Sequence, residues 1–180
     1  AYDAHGRTIA DQDPLGNETG YRYDASGLFR AILTSSLGTT QFEYDRAIGQ
    51  PVRITYPDGT ETLFAYDAQG RVLATALPGE SLSDPPTTYS YDDMLPTSRT
   101  GHFRPSQNSA DEAIAVTYFD GHGKEFQHRV RVAVGQFVVS GLRLLNPWGD
   151  LNEEYEPTFD NTESFGLPTT ASRPRRQIYY

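Results

Sequence analysis

Cysteine is absent from all 180 residues, so disulfides, thiolate zinc centres and cysteine nucleophiles are excluded. Basic residues are scarce: 15 Lys and Arg stand against 24 Asp and Glu, a formal charge of −9. A surface that holds nucleic acid needs clustered cations, so this balance argues against nucleic-acid partners. Arg173-Pro174-Arg175-Arg176 forms the one basic cluster and reads as a solvated tail. No apolar run reaches the roughly 18 residues of a membrane span, and no secretion signal stands at the start. An apolar stripe at helical spacing over ten or more residues is also missing, which excludes an amphipathic helix and leaves strands and turns.

What is present is repetition. Ala65-Tyr66-Asp67-Ala68-Gln69-Gly70-Arg71 is the best-preserved copy of a tyrosine-aspartate unit. Its relatives are Tyr2-Asp3-Ala4-His5-Gly6-Arg7, Tyr23-Asp24-Ala25-Ser26-Gly27 and Tyr44-Asp45-Arg46-Ala47-Ile48-Gly49, the last with one extra residue before its glycine. Tyr91-Asp92 is a weaker copy, with Met94-Leu95 where its glycine turn is expected. The tyrosines at 2, 23, 44, 66 and 91 are separated by 21, 21, 22 and 25 residues, a regularity that marks a repeat array. Phe119-Asp120-Gly121-His122-Gly123 repeats the unit with phenylalanine for tyrosine. Leu145-Asn146-Pro147-Trp148-Gly149-Asp150 keeps its outline, with Asp150 in place of the basic residue.

The residue types explain themselves as a turn. Glycine suits a backbone position at positive φ, and aspartate accepts N–H groups a few residues on. The tyrosine before the turn is a good strand residue whose ring is expected to stack on the equivalent ring of the next repeat. A second punctuation alternates with the first: Asp13-Pro14-Leu15-Gly16-Asn17, Ser35-Ser36-Leu37-Gly38-Thr39, Tyr56-Pro57-Asp58-Gly59-Thr60 and Leu77-Pro78-Gly79-Glu80. Every repeat then has two turns and two strands. Thr60, Thr62, Phe64 and Tyr66 fall on one face of such a strand, and Glu61, Leu63 and Ala65 on the other.

These signals predict an all-β fold of serial antiparallel hairpins in four stretches. Residues 1–92 form a continuous antiparallel sheet of tyrosine-aspartate repeats. Residues 93–112, with Pro96, Pro105 and a Ser, Asn and Gln stretch, form an excursion or loop. Residues 113–157 form degenerate repeats, including a long hairpin of Phe126–Val134 and Gln136–Leu145 joined near Gly135. Residues 158–180 are extended and irregular, ending at Ile178-Tyr179-Tyr180 where another unit would begin. The chain opens inside a repeat without an initiator methionine, so it reads as a segment of a longer array.

No side chains converge on chemistry. His5 and His122 occupy a turn position where Ser26 and Gln69 stand in sister repeats, so they read as solvent-exposed turn residues. His102 and His128 lack a partner at zinc spacing. The repeated aspartates 3, 24, 45, 67, 92 and 120 read as turn caps, because calcium-binding solenoids have shorter periods and denser glycine. Asp160-Asn161-Thr162-Glu163 lacks the alternating ligands of a calcium loop and reads as a loop or turn. Glu153, Glu154 and Glu156 lie in a polar connection, which argues against paired acid-base work. Asn17-Glu18-Thr19 matches a glycosylation triplet inside a turn segment, where it reads as coincidental. Trp148, beside a turn glycine, reads as a cover for a sheet end. The expectation is a non-enzymatic chain without metal or cofactor, whose site residues are repeat turns: Tyr2, Asp3, Gly6, Tyr23, Asp24, Gly27, Tyr44, Asp45, Gly49, Tyr66, Asp67, Gly70, Tyr91, Asp92, Phe119, Asp120 and Gly123.

The Tyr-Asp-x-x-Gly-Arg units at 2–7 and 66–71, with their period of about 21, resemble the YD repeats of Rhs proteins, toxin-complex B components and teneurins. Tyr118 to Glu125, Val138-Val139-Ser140-Gly141, Leu145 to Gly149 and Glu154-Tyr155-Glu156-Pro157 are similar to the middle region of the B component of tripartite toxin complexes. The resemblance implies a sheet strip spiralling into a hollow shell around a toxic C-terminal domain, in a secreted bacterial protein whose signal lies outside this segment. It implies as partners the neighbouring repeats of the parent chain, the enclosed toxin domain and another toxin-complex subunit. The alternative is an extracellular module using the repeat surface to recognise carbohydrate or protein. Buried tyrosines would favour the wall, a solvent-facing aromatic row the module.

Overall fold

The computed structural model describes residues 1–94, 96–105, 110–146, 148, 150–166 and 174–177, and among these there is no helix. Leu95, the core of the Ser, Asn and Gln stretch at 106–109, Pro147, Gly149, residues 167–173 and the start of a further repeat at 178–180 lie outside the described residues. The chain is all-β and falls into two units, Ala1–Pro86 and Thr87–Tyr180.

The first unit is a run of hairpins in which every strand pairs with its sequence neighbour. Its strands are β1 (Ala10–Gln12), β2 (Glu18–Tyr23), β3 (Arg30–Ser35), β4 (Gly38–Asp45), β5 (Gln50–Thr55), β6 (Glu61–Tyr66) and β7 (Val72–Ala76). All six pairings are antiparallel. The register places Tyr21 across from Leu33, Leu33 from Thr40, and Phe42 from Ile54. Tyr21, Leu33, Phe42, Ile54 and Phe64 therefore share one face, while Arg22, Gln41, Glu43 and Arg53 share the other. On the polar face Arg53 lies 3.7 Å from Glu43 and 3.5 Å from Glu61. A single sheet layer buries little by itself. Thr62, Ala74 and Ala76 are buried, whereas most apolar side chains of these strands are half-buried.

The second unit begins at β8 (Thr87–Asp92) and continues through β9 (Thr97–Phe103), β10 (Ala113–Phe119), β11 (Glu125–Ala133) and β12 (Gln136–Ser140). Each pairs antiparallel with the next. A small sheet follows from β13 (Arg143–Leu145) and β14 (Leu151–Tyr155). The strand β15 (Thr158–Asp160) adds to β12, and β16 (Pro174–Gln177) adds to β14. Ile114, Val116 and Tyr118 are buried with Phe126 packed against them, and Phe137, Val139 and Leu142 are buried as well.

Three sequence expectations change here. The excursion at 93–112 contains the seven-residue strand β9: Pro96 and Pro105 bracket that strand and leave its ladder intact. Gly101 at its centre is covered by Tyr89 and Phe103, whose rings meet edge-on at 5.8 Å. The hairpin of β11 and β12 is shorter than expected, since the chain leaves the sheet at Gly141, φ 68°, and enters the small sheet. The stretch after 157, expected to be irregular, supplies β15 and β16.

Candidate functional site

The recurring local structure is one hydrogen-bonded turn. At Asp3 the backbone N–H donates to Arg7 O at 2.9 Å, and the Gly6 N–H donates back to Asp3 O at 3.0 Å. The carboxylate closes the loop: Asp3 Oδ1 accepts the N–H groups of His5 and Arg7, both at 2.9 Å. Asp67 repeats this with Gln69, Arg71 and Gly70. Asp120 repeats it with His122, Lys124 and Gly123. Gly6, Gly70 and Gly123 sit at φ 76°, 78° and 76°, which β-carbon-bearing residues rarely adopt.

Two copies carry an insertion. At Asp24 the closing bond runs to Phe29 O, and Oδ1 accepts the N–H of Leu28 at 3.0 Å. At Asp45 the Gly49 N–H donates to Asp45 O over one extra residue, while Oδ1 accepts the N–H of Ala47 at 2.8 Å. Asp92 lacks the glycine, and its Oδ1 accepts the N–H of Met94 at 2.9 Å. Tyr2 is exposed and pairs with Thr8 through an isolated bridge, and Tyr91 sits across from Arg99.

Two further turns belong to this set, one read from the sequence as part of the alternating punctuation and one as an outline of the unit. Asp13 makes the same turn with Leu15, Asn17 and Gly16, and the shared Asp-x-x-Gly spacing was the available signal. Asn146 replaces the acid at the last copy, its Oδ1 accepting the N–H groups of Trp148 and Asp150.

The register slips beside four of these turns, between Arg22 and Tyr23, Glu43 and Tyr44, Ala65 and Tyr66, and Tyr118 and Phe119. The repeated aromatic thus stands at a β-bulge, where strand twist increases and the side chain is re-aimed. It then reaches back one repeat. Tyr23 Oη donates to Thr8 O at 3.1 Å, Tyr44 Oη to Arg30 O at 3.1 Å and Tyr66 Oη to Pro51 O at 2.9 Å. The three rings are half-buried, and burial raises the hydroxyl pKa of Tyr44 and Tyr66.

The expected stacking partner is corrected by the same geometry. The group that packs on the Tyr23 and Tyr44 rings comes from just after the preceding turn: Arg7 lies 4.6 Å over Tyr23, and Phe29 stacks on Tyr44 at 4.8 Å. Arg7 occupies the space beneath Gly27, Phe29 that beneath Gly49, and Ile48 that beneath Gly70. The glycines therefore supply both a left-handed turn and room for the neighbouring repeat.

Electrostatics follow the caps. Hydrogen bonds, foremost from the Ser26 hydroxyl, hold Asp24 down to about 2. Asp3 is lowered chiefly by the Arg7 N–H, and Asp120 chiefly by the Lys124 N–H. Asp67 feels an opposing push from burial, but the Arg71 N–H and guanidinium leave it below the ordinary carboxylate value.

The histidines stand apart from one another in their contacts. His102 Nδ1 lies 3.1 Å from Glu112, and His128 Nδ1 3.1 Å from Thr117 Oγ1. Among the described residues no group of three or more His, Asp and Glu side chains is arranged to hold a metal. Glu154 accepts from Arg143, and Glu153 accepts the Tyr155 hydroxyl at 2.6 Å. Trp148 is 85% exposed at a hairpin tip, so it does not cover a sheet end.

Asp160, expected in a plain loop, is 2% exposed at the end of β15. It meets the fully buried Arg129 at 2.6 Å. Arg129 also donates to Thr162 O and Gly166 O, Gln127 to Gly166 O, and Tyr118 to Glu163 O. Phe165 packs on Tyr118 and Phe126. Residues 160–166 are thereby strapped across the β10 and β11 face.

Residues 1–99 match the family model described as Teneurin YD-shell, and the chain belongs to this family. Solved structures with the same fold include the crystal structure of TcdB2-TccC3, with TM-score 0.75 and 17% identity over 89% of this chain. The form of TcdB2-TccC3 without its hypervariable C-terminal region gives 0.73 and 13% over 89% of this chain. A Photorhabdus luminescens Tc holotoxin pore gives 0.70 and 14% over 81%. The chain spans 11%, 13% and 12% of those chains respectively. No curated protein matches. The repeats are thus YD repeats, and the chain is a segment of YD-shell fold.

Proposed function

We propose that this chain is a non-enzymatic stretch of wall in a YD-repeat shell that encloses the toxic C-terminal domain of a secreted bacterial Rhs or toxin-complex protein. Residues 1–92 are the regular part of the wall, 93–112 an excursion carrying one strand, 113–157 its degenerate continuation and 158–180 a lead into a further repeat. The repeat-turn residues act mechanically: the acids and glycines set each hairpin, and the tyrosines tie it to the one before. Neighbouring repeats, the enclosed domain and another toxin-complex subunit are its partners.

The observation that carries this reading is the backward bond of Tyr23, Tyr44 and Tyr66 to the backbone of the preceding repeat. A hydroxyl so engaged stiffens a sheet and is not free to bond a ligand. Half-buried apolar positions along a single layer also call for a cover that lies outside the layer.

A second reading, surface recognition of carbohydrate or protein, draws on the exposed Trp148. Electron microscopy of the full-length parent separates the two. A closed wall containing these hairpins, with density inside it, is the expected result. An open or rod-like array with aromatic rows facing solvent overturns the container.

A further inference from the structure

Each of the four Tyr-Asp turns of the first unit carries an acid, and three of these acids are paired with arginine. Arg7 Nε lies 2.6 Å from Asp3 Oδ2, Arg71 Nε 2.7 Å from Asp67 Oδ2, and Arg46 Nη2 3.2 Å from Asp24 Oδ2. Asp45 differs. Its Oδ1 takes the N–H of Ala47, and no cation among the described residues pairs with its carboxylate.

Asp45 lines a groove of about 590 Å³ with Ile48, Val52, Phe64, Tyr66 and Asp67. The corresponding groove between the first two turns, about 430 Å³, contains the chain's own occupant. There Arg7 spreads over the Tyr23 ring at 4.6 Å, pairs with Asp3 and donates to Gly27 O at 2.7 Å. In the later groove Ile48 takes the place under the glycine that Arg7 takes in the earlier one. It brings no charge, so the acid and the ring remain while the cation is gone.

We propose that the groove between Asp45 and Tyr66 binds the arginine side chain of a polypeptide partner. A guanidinium stacks on a tyrosine face and donates in plane to a carboxylate, the arrangement that Arg7 already makes. An ammonium offers no plane to stack, and an anion would face the unpaired Asp45 carboxylate. The net charge of −9 favours approach of a basic segment. This inference goes beyond the wall reading and stands whichever way the wall faces.

The test titrates the full 180-residue chain, labelled with ¹⁵N, with a blocked Gly-Arg-Gly peptide while the amide signals of Ala47, Ile48 and Ala68 are followed. Those signals are expected to move together. Asp45→Asn, which retains an acceptor for the Ala47 N–H, should weaken binding about five- to tenfold, the scale of an exposed ion pair acting with a cation–π contact. Asp58→Asn removes the same charge from another turn and should leave binding unchanged. Ile48→Arg, which supplies the guanidinium from within, should abolish it. Equal shifts with the citrulline or lysine peptide, equal weakening by the two Asp variants, or no movement of these amides would overturn the assignment.

Discussion

Arg129 and Asp160 meet at 2.6 Å with side-chain exposures of 0% and 2%, although 31 residues separate them in sequence. Their attraction competes with the cost of taking both charges out of water, so the pair adds little over apolar packing. Removing one partner is different, because the other charge stays buried. Arg129→Met, which also strands the carbonyls of Thr162 and Gly166, should destabilise the second unit by about 3–5 kcal/mol. Asp160→Asn keeps an acceptor but leaves the guanidinium buried without its counter-charge, so it should cost a comparable amount. Urea unfolding followed by Trp148 fluorescence, that tryptophan lying in the second unit, gives the comparison.

Tyr66→Phe keeps the ring and deletes the hydroxyl that Pro51 O accepts at 2.9 Å. The expected loss is about 0.5–1.5 kcal/mol, the net value of one hydrogen bond in a half-buried setting. Tyr66→Leu should cost more, since the ring also lies 6.3 Å from Phe64. The same pair of changes at Tyr44 should give a larger ring penalty, because Phe29 stacks on it at 4.8 Å. Chemical denaturation of the four variants measures these differences.

The repeat was legible because its information is local. An acid, a glycine three residues on and a bulge-forming tyrosine are contiguous, and each has a conformational reason to be there. Asp13 was legible in the same terms, but the missing tyrosine obscured it. The direction of the tyrosine hydroxyl was not legible, since its acceptor lies 14 or 15 residues back on a carbonyl that carries no sequence signature. Arg129 shows the same limit more strongly. Gln127 and Arg129 occupy alternate positions of a strand, which reads as a polar, solvated face. Only the strap at 160–166, contributed from far downstream, turns that face into an interior.

Gly6 and Gly27 separate the two roles of the turn glycine. Both have left-handed φ, 76° and 71°, but a β-carbon at Gly6 would meet open space while one at Gly27 would collide with the Arg7 guanidinium. Gly6→Ala should therefore cost about 1–2 kcal/mol from backbone strain. Gly27→Ala should cost more, because Arg7 must also leave the Tyr23 ring and its bond to Gly27 O. Introducing Arg7→Ala beside it should shrink the difference, a coupling that a double-mutant cycle reads directly.

The turn acids make stability depend on acid in a defined window. Asp24 is held down to about 2, and Asp3, Asp13, Asp67 and Asp120 are also lowered. An unfolded aspartate titrates near 3.9, so the unfolded chain binds protons first as pH falls. The contribution of these caps is thus complete above roughly pH 4 and is lost as pH drops toward 2. Asp24→Asn should flatten the fall in this range more than Asp45→Asn, whose carboxylate accepts one backbone N–H and, among the described residues, no arginine. Urea midpoints measured between pH 5 and pH 2 test the difference. Equal slopes for the two variants would show that the caps do not set the acid response.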